Sequence, residues 1–582
     1  MASVDDIFKN AGVSSKRKLD PVRDPNEIYK SAKRNANNAN RHARVDDEEE
    51  DGLEAGPAPP PDENEDFGPD LPPDDDEGRF FGGGITQQES EILDFVEDAD
   101  AKVAPEKINA AWLRKTALNF EKLITRNAEL RAKFEDEPQK FISSEADLDA
   151  DIKGLSVLSQ HPELYPEFVR TGCVGSLVSL LAHENTDIAI DAMEVIEELT
   201  DEEVVSDESE WEKLVNALLD SDVLGLLVSN FSRLNEDDES DRSGVYHALS
   251  VIENFCLRKQ VAERVGEGQN LIEWLLERIQ RKESPVTQNK QYSTEILAIL
   301  AQASIVNRSQ LIRLDAIDQL LQLVAPYRRR DPEKGSDEEE YMENLFGCLT
   351  SLVDEETGKS KFIEAEGVEL CLIMLKEGKK SKWPALRLID HAVGGNSGIE
   401  MCQKVVEAGG LKTLFTLFMK TSSRPMMESL IAIFATMLRL LPANSAERIR
   451  LLAKFVEKDY TKTAKLFKIR QVYRAQLAQV ENRKKQESRD LTAENIEEME
   501  VGWMLDMIAE GIFTSQHIDQ VLAWLVAEDT GARKKIKDLL AEGGDGLEVI
   551  GATLKEQLKG LDTTEKNKDM GDMLSTLVEF VQ

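Results

Sequence analysis

The sequence predicts an all-α fold. It is expected to be a right-handed superhelical solenoid of stacked repeats with atypical helical caps and a disordered N-terminal tail. Three observations carry this. From about residue 106 onward, apolar residues recur every three or four positions and strict alternation is rare. One apolar pattern returns six times at nearly constant spacing. The first 78 residues have no such pattern and are dominated by charge and proline.

The tail comes first. Residues 1–44 hold ten Lys/Arg against five acids, whereas residues 45–78 hold sixteen acids, seven prolines and no Lys or Arg. Neither part can bury enough apolar surface to offset its ordering entropy. The clusters Lys16-Arg17-Lys18 and Lys33-Arg34 read as a nuclear localisation signal of bipartite spacing, through which an import receptor could act. The plainer reading is solvated charge. The basic tail could also fold back onto acidic surface. The tail ends in Arg79-Phe-Phe-Gly-Gly-Gly84, whose phenylalanines are expected to anchor it. The glycines lack the Lys-Ser/Thr of a phosphate loop.

Residues 79–170 are expected to form an N-terminal helical cap. A capping box at Thr86-Gln-Gln-Glu89 opens it, and Trp112, Leu113, Leu118, Phe120 and Leu123 supply apolar faces. Residues 171–441 hold the repeats. The recurring pattern has a small or turn residue, an apolar anchor, and apolar positions three and six or seven residues later. Its anchors Val174, Val223, Leu271, Ile317, Val368 and Leu411 are 49, 48, 46, 51 and 43 residues apart. A second amphipathic helix follows each, predicted over 187–199, 244–255, 291–300, 341–352, 384–392 and 427–440. A short helix precedes several. Short helix, turn, helix, loop, longer helix is the armadillo/HEAT-like arrangement, and 172–200 looks like one such repeat end to end. A single repeat cannot bury its own apolar faces, but a stack does, leaving a groove lined by the third helices. Residues 442–582 read as a C-terminal helical cap or interaction region. A charged stretch at 481–500 interrupts it before Trp503, Leu505, Ile508, Phe513, Val521, Trp524 and Leu525 resume an apolar pattern.

Composition excludes several functions. The net charge is −40, of which residues 79–582 carry −29. Direct nucleic-acid binding needs a positive surface, so basic proteins or peptides are the expected partners. No apolar run approaches a membrane span, and the N-terminus has no secretory h-region. The five cysteines are scattered, which suits reduced thiols. The six histidines stand in no metal-ligand spacing, and no nucleophile or nucleotide motif is present. Neither enzyme chemistry nor a metal or cofactor is expected.

Nuclear-import receptors with armadillo repeats present Trp and, four residues on, Asn on the third helix. The corresponding pairs here are Glu194 and Glu198, Ser250 and Asn254, and Arg387 and His391, so only Asn254 matches. In place of a tryptophan ladder, acids line these helices. Asp191, Glu194, Glu198, Glu253, Glu295, Glu343 and Asp390, with Asn254, are the candidate groove residues for Lys/Arg side chains. The plainer reading of each acid is an exposed helix charge.

The chain closely resembles the beta-catenin-like protein 1 family of armadillo nuclear proteins. The resemblance rests on Glu77-Gly-Arg-Phe-Phe-Gly-Gly-Gly84, His183-Glu-Asn-Thr-Asp187 with Glu198-Leu-Thr-Asp201, Tyr292-Ser-Thr-Glu-Ile-Leu-Ala-Ile-Leu300, Met342-Glu-Asn-Leu-Phe346 and Leu417-Phe-Met-Lys420. It spans nearly the whole chain and is weakest at the C-terminal end. It implies a nuclear, spliceosome-associated protein of the Prp-nineteen/Cdc-five complex. It also implies binding to basic, localisation-type segments of splicing factors, including a Myb-like Cdc-five subunit. The expected function is therefore a non-catalytic scaffold with an acidic groove. Two alternatives are a transport adaptor for basic cargo, and a homodimeric organiser that binds partner helices through the C-terminal region.

Overall fold

The computed structural model describes residues 107–201, 208–488, 493–561 and 568–582. The chain divides into two units, Met1–Trp112 and Leu113–Gln582. The first is described only from Lys107, so the tail, its basic clusters and the Phe-Phe-Gly motif lie outside the described residues. The described residues form twenty-six α-helices and no strand.

Helices α1 (Ala110–Lys133) and α2 (Ile142–Gly154) come before the repeats. Repeat one comprises α3 (Tyr165–Thr171), α4 (Cys173–Leu180) and α5 (Thr186–Thr200). Repeat two comprises α6 (Glu208–Asp220), α7 (Val223–Phe231) and α8 (Glu239–Cys256). Repeat three comprises α9 (Lys259–Glu267), α10 (Gln269–Gln280) and α11 (Gln288–Ala303). Repeat four comprises α12 (Ile305–Arg313), α13 (Ala316–Val324) and α14 (Asp337–Leu352). Repeat five comprises α15 (Glu356–Glu364), α16 (Gly367–Glu377) and α17 (Lys382–Val393). Repeat six comprises α18 (Ile399–Glu407), α19 (Gly410–Lys420) and α20 (Arg424–Leu440).

Local chemistry explains these boundaries. Between the first and second helix of every repeat but the third the chain pivots on one left-handed residue: Gly172, Asp222, Asp315, Glu366 or Gly409, with φ between +57° and +82°. The third helices of repeats one to four start on side-chain caps. The side chains of Asn185, Asp238, Thr287 and Ser336 accept from free N–H groups of the first turn. Helix α5 ends where side chains of its own and the next repeat take up its last carbonyls. The Tyr165 hydroxyl donates to the Leu199 carbonyl, and the Trp211 Nε1 donates to that of Thr200, both at 2.9 Å.

The third helices pack side by side, each on the next, from α5 through α20. The ladder runs on past both ends of the repeats, to α2 on one side and to α23 (Ile512–Glu528) on the other. The caps, which lack the repeat's sequence pattern, therefore continue its packing. Apolar stripes such as Ile188, Ile196, Leu249, Ile252, Leu297 and Leu345 lie between neighbours, each almost without exposure. Each such side chain contributes roughly 2 kcal/mol when buried.

The C-terminal cap is built round α23. Helices α21 (Ala446–Glu487), α24 (Thr530–Ala541), α25 (Glu548–Gly560) and α26 (Lys568–Phe580) all pack against it. Helix α21 kinks at Glu457–Tyr460, where three residues adopt positive φ. Arg470 on α21 and Asp519 on α23 form a buried ion pair. Helix α22 (Ala493–Ala509) touches only α21 and α23 substantially.

Candidate partner groove

The third helices carry the candidate residues, some on open faces and some buried. On α5, Glu198 is exposed and Glu194 and Glu197 are half-buried. His247 on the adjacent α8 hydrogen-bonds through Nδ1 to the Glu197 carboxylate. Burial opposes the imidazolium, but Glu197, with Glu194 and Glu198 beyond it, raises its pKa above the ordinary histidine value. Neither Glu194 nor Glu198 is taken up by a hydrogen bond among the described residues. Glu253, six residues along α8 from His247, accepts from the hydroxyl of Tyr292 on α11. Tyr292 in turn lies against Tyr246 at 5.1 Å between ring centroids.

The structure thus gathers Glu194, Glu198 and Glu253 onto two neighbouring helices, together with His247, which the sequence places on a repeat helix as a core or groove-edge residue, and Glu197, which the sequence reading did not single out. The i, i+3 spacing of Glu194 and Glu197 was a signal that could have found Glu197.

The other candidates sit elsewhere. Asp191 is buried between α2 and α5, 3.2 Å from the Lys153 ammonium. Burial and the Asp149 carboxyl push it up to about 7, while its hydrogen bond holds Asp149 below the usual carboxylate range. Of the two carboxyls, Asp191 holds its proton the more tightly. Asn254 is buried, and its Nδ2 donates to the Glu197 carbonyl at 3.3 Å and the Thr200 hydroxyl at 3.2 Å. It ties α8 to the end of α5. Glu295 is buried on α11 and accepts from Gln291 at 3.0 Å. Every residue from 289 to 298 of that helix is buried. Glu343 on α14 is exposed, and partial burial and Glu339 raise its pKa against the pull of Lys380. Asp390 on α17 is half-buried, and desolvation pushes it up to about 6 against His391 and Ser429.

The described residues hold no cluster of three His, Cys, Asp or Glu placed to bind a metal. All five cysteines are buried, and burial raises every thiol above its ordinary range. A nucleophilic thiolate is therefore disfavoured at each.

Across residues 90–555 the sequence matches the family described as catenin-beta-like, Arm-motif containing nuclear. The chain belongs to this family. It is 40% identical over 486 residues to the beta-catenin-like protein 1 homolog of Schizosaccharomyces pombe, covering 83% of this chain and 85% of that protein. It is 34% identical over 468 residues to beta-catenin-like protein 1 of Homo sapiens, covering 78% and 82%. Among solved structures, a designed armadillo repeat protein aligns with a TM-score of 0.32 at 15% identity, covering 53% of this chain and all of that one. Membership of this catenin-beta-like family gives the armadillo architecture; the family is described as nuclear, and its solenoid scaffolds are generally non-catalytic.

Proposed function

We propose that this protein is a non-catalytic scaffold of the spliceosome, of the Prp-nineteen/Cdc-five type. It takes basic, localisation-type segments of splicing factors, a Myb-like Cdc-five subunit among them, against the open faces of α5 and α8. The observation that carries this is the grouping of Glu194, Glu197 and Glu198 around His247. Three carboxylates surround one imidazolium, so the site keeps excess negative charge even with His247 protonated. Lys and Arg side chains of an extended segment complement such a face, and its charge sets attraction and orientation more than affinity.

The test is a titration of the full chain with fluorescent basic peptides at low and physiological salt. Binding is expected to fall with salt and to weaken by about tenfold in the Glu194→Lys, Glu198→Lys variant. Binding that ignores salt, or equal binding to polylysine by the wild type and the variant, would remove the groove from consideration.

A further inference from the structure

Helix α22 carries its apolar face outward. Val501 is 65% exposed, Met504 58% and Leu505 43%. Ile508 is half-buried. These positions stand at i, i+3, i+4 and i+7, one continuous stripe of two helical turns. Phe513, 40% exposed in the first turn of α23, follows them in sequence. The sequence reading placed Leu505 and Phe513 in a resumed core. The structure corrects this, because α22 leans on α21 and α23 by another side. There Trp503 is buried, donates through Nε1 to Glu487 at 2.7 Å, and receives the Lys484 ammonium over its ring at 5.1 Å. The helix is held in place and its aliphatic stripe is left to water.

The segment that carries the stripe is acidic, and cations of α21 face part of it. Residues 490–532 contain ten acids and no Lys or Arg. Asp506, Asp519 and Glu528 are each paired with a cation of α21, namely Arg483, Arg470 and Arg448. Glu500, beside the stripe, is exposed and makes no ion pair among the described residues. Glu510 stands 4.0 Å from Arg424.

We propose that the open face of α22 docks an amphipathic partner helix whose apolar stripe is flanked by Lys and Arg. The anchor spacing is that of helix-on-helix recognition. An extended segment is disfavoured, since the backbone groups of α22 are spent on its own hydrogen bonds. A second copy of this chain would bring acid against acid. A basic helix satisfies both the stripe and its rim. This site is independent of the α5 and α8 groove.

The probe is a fluorescent synthetic amphipathic helix of about 18 residues, with leucines at i, i+3, i+4 and i+7 and lysines beside them. Controls are the same composition scrambled, and the same helix with glutamate for lysine. The full chain is expected to bind the lysine helix and neither control. The combined variant Val501→Ser, Met504→Ser, Leu505→Ser is expected to weaken binding by about tenfold or more. These side chains are exposed, so the variant should keep the wild-type melting curve. Glu500→Lys is a second variant that touches no packing and should weaken the lysine helix alone. Glu194→Lys with Glu198→Lys should leave this binding unchanged. Equal binding of the scrambled peptide would overturn the proposal, as would wild-type affinity in the serine variant. So would sedimentation showing a wild-type dimer that the serine variant dissociates, because a second copy would then cover the stripe.

Discussion

Glu366 holds φ at +57°, where an L side chain crowds its own carbonyl, and Gly172 holds +82° at the equivalent pivot. No atom lies within 4 Å of a Cβ built on Gly172, so backbone strain alone decides a substitution there. Glu366→Gly is expected to raise unfolding free energy by about 1 kcal/mol, and Gly172→Ala to lower it by about the same, measured by urea unfolding. The sequence pattern located these pivots only to within a residue or two. The small or turn residue of the recurring pattern is Gly172 or Asp222 itself in repeats one and two, but Ala316, Gly367 or Gly410 in repeats four to six, one residue beyond Asp315, Glu366 and Gly409. A glycine draws the eye, whereas a strained Asp or Glu looks ordinary. Asp191 shows the same limit at the candidate site, because burial against α2 has no signature in its own neighbourhood. Its raised value makes a pH prediction. A carboxyl that binds its proton more tightly when folded stabilises fully below its unfolded value of about 4, and that contribution is lost as pH rises toward 7. Asp149, held low, acts in the opposite sense at more acid pH. Asp191→Asn should therefore stabilise at pH 8, by about 1 kcal/mol, and gain little at pH 5. Paired thermal melts at the two pH values check this.

At the scale of the element, the third helices were legible and their starts were not. Their C-terminal ends fall within three residues of expectation, but α8 begins at Glu239 rather than Gly244, and α14 at Asp337 rather than Tyr341. The missing turns are acidic and polar, favourable to a helix N-terminus but silent in an apolar pattern. What ends a helix was even less visible. Lys359 on α15 is buried and donates to the Val353 carbonyl at 2.8 Å, the Ala392 carbonyl at 3.0 Å and the His391 carbonyl at 3.2 Å. It closes the ends of α14 and α17 together. Beside it, a Cβ on Gly358 would stand 1.9 Å from the Leu352 carbonyl oxygen, so α15 meets the end of α14 only over a glycine. Lys359→Met should cost about 3 kcal/mol, because three carbonyls lose their donor inside the protein. Chemical denaturation reads the loss. Such a lysine appears in sequence as one more surface charge, since its partners are 6 to 33 residues away along the chain.

Across the whole molecule, the cysteines mark the array at intervals: Cys173, Cys256, Cys348, Cys371 and Cys402 lie in repeats one, two, four, five and six, all buried. In a solenoid each repeat leans mainly on its neighbours, so opening starts where a neighbour is weakest. Thiol labelling in low urea, read by mass spectrometry, is expected to reach Cys173 before Cys348. Simultaneous labelling would mean a single cooperative unit. The fold class and the repeat count were legible because periodicity repeats itself. The outward face of α22 was not, because apolar residues on a partner face and in a core have the same spacing. The enclosure of α11 has one more consequence, a matter of grammar. Its ten consecutive buried residues interrupt the row of open faces between α8 and α14. With neighbouring axes about 8–10 Å apart, crossing that interruption takes about 16–20 Å. That is about five or six residues of extended chain. Any single segment read on both sides is thus two words separated by a spacer of that length, and a shorter one is read on one side only.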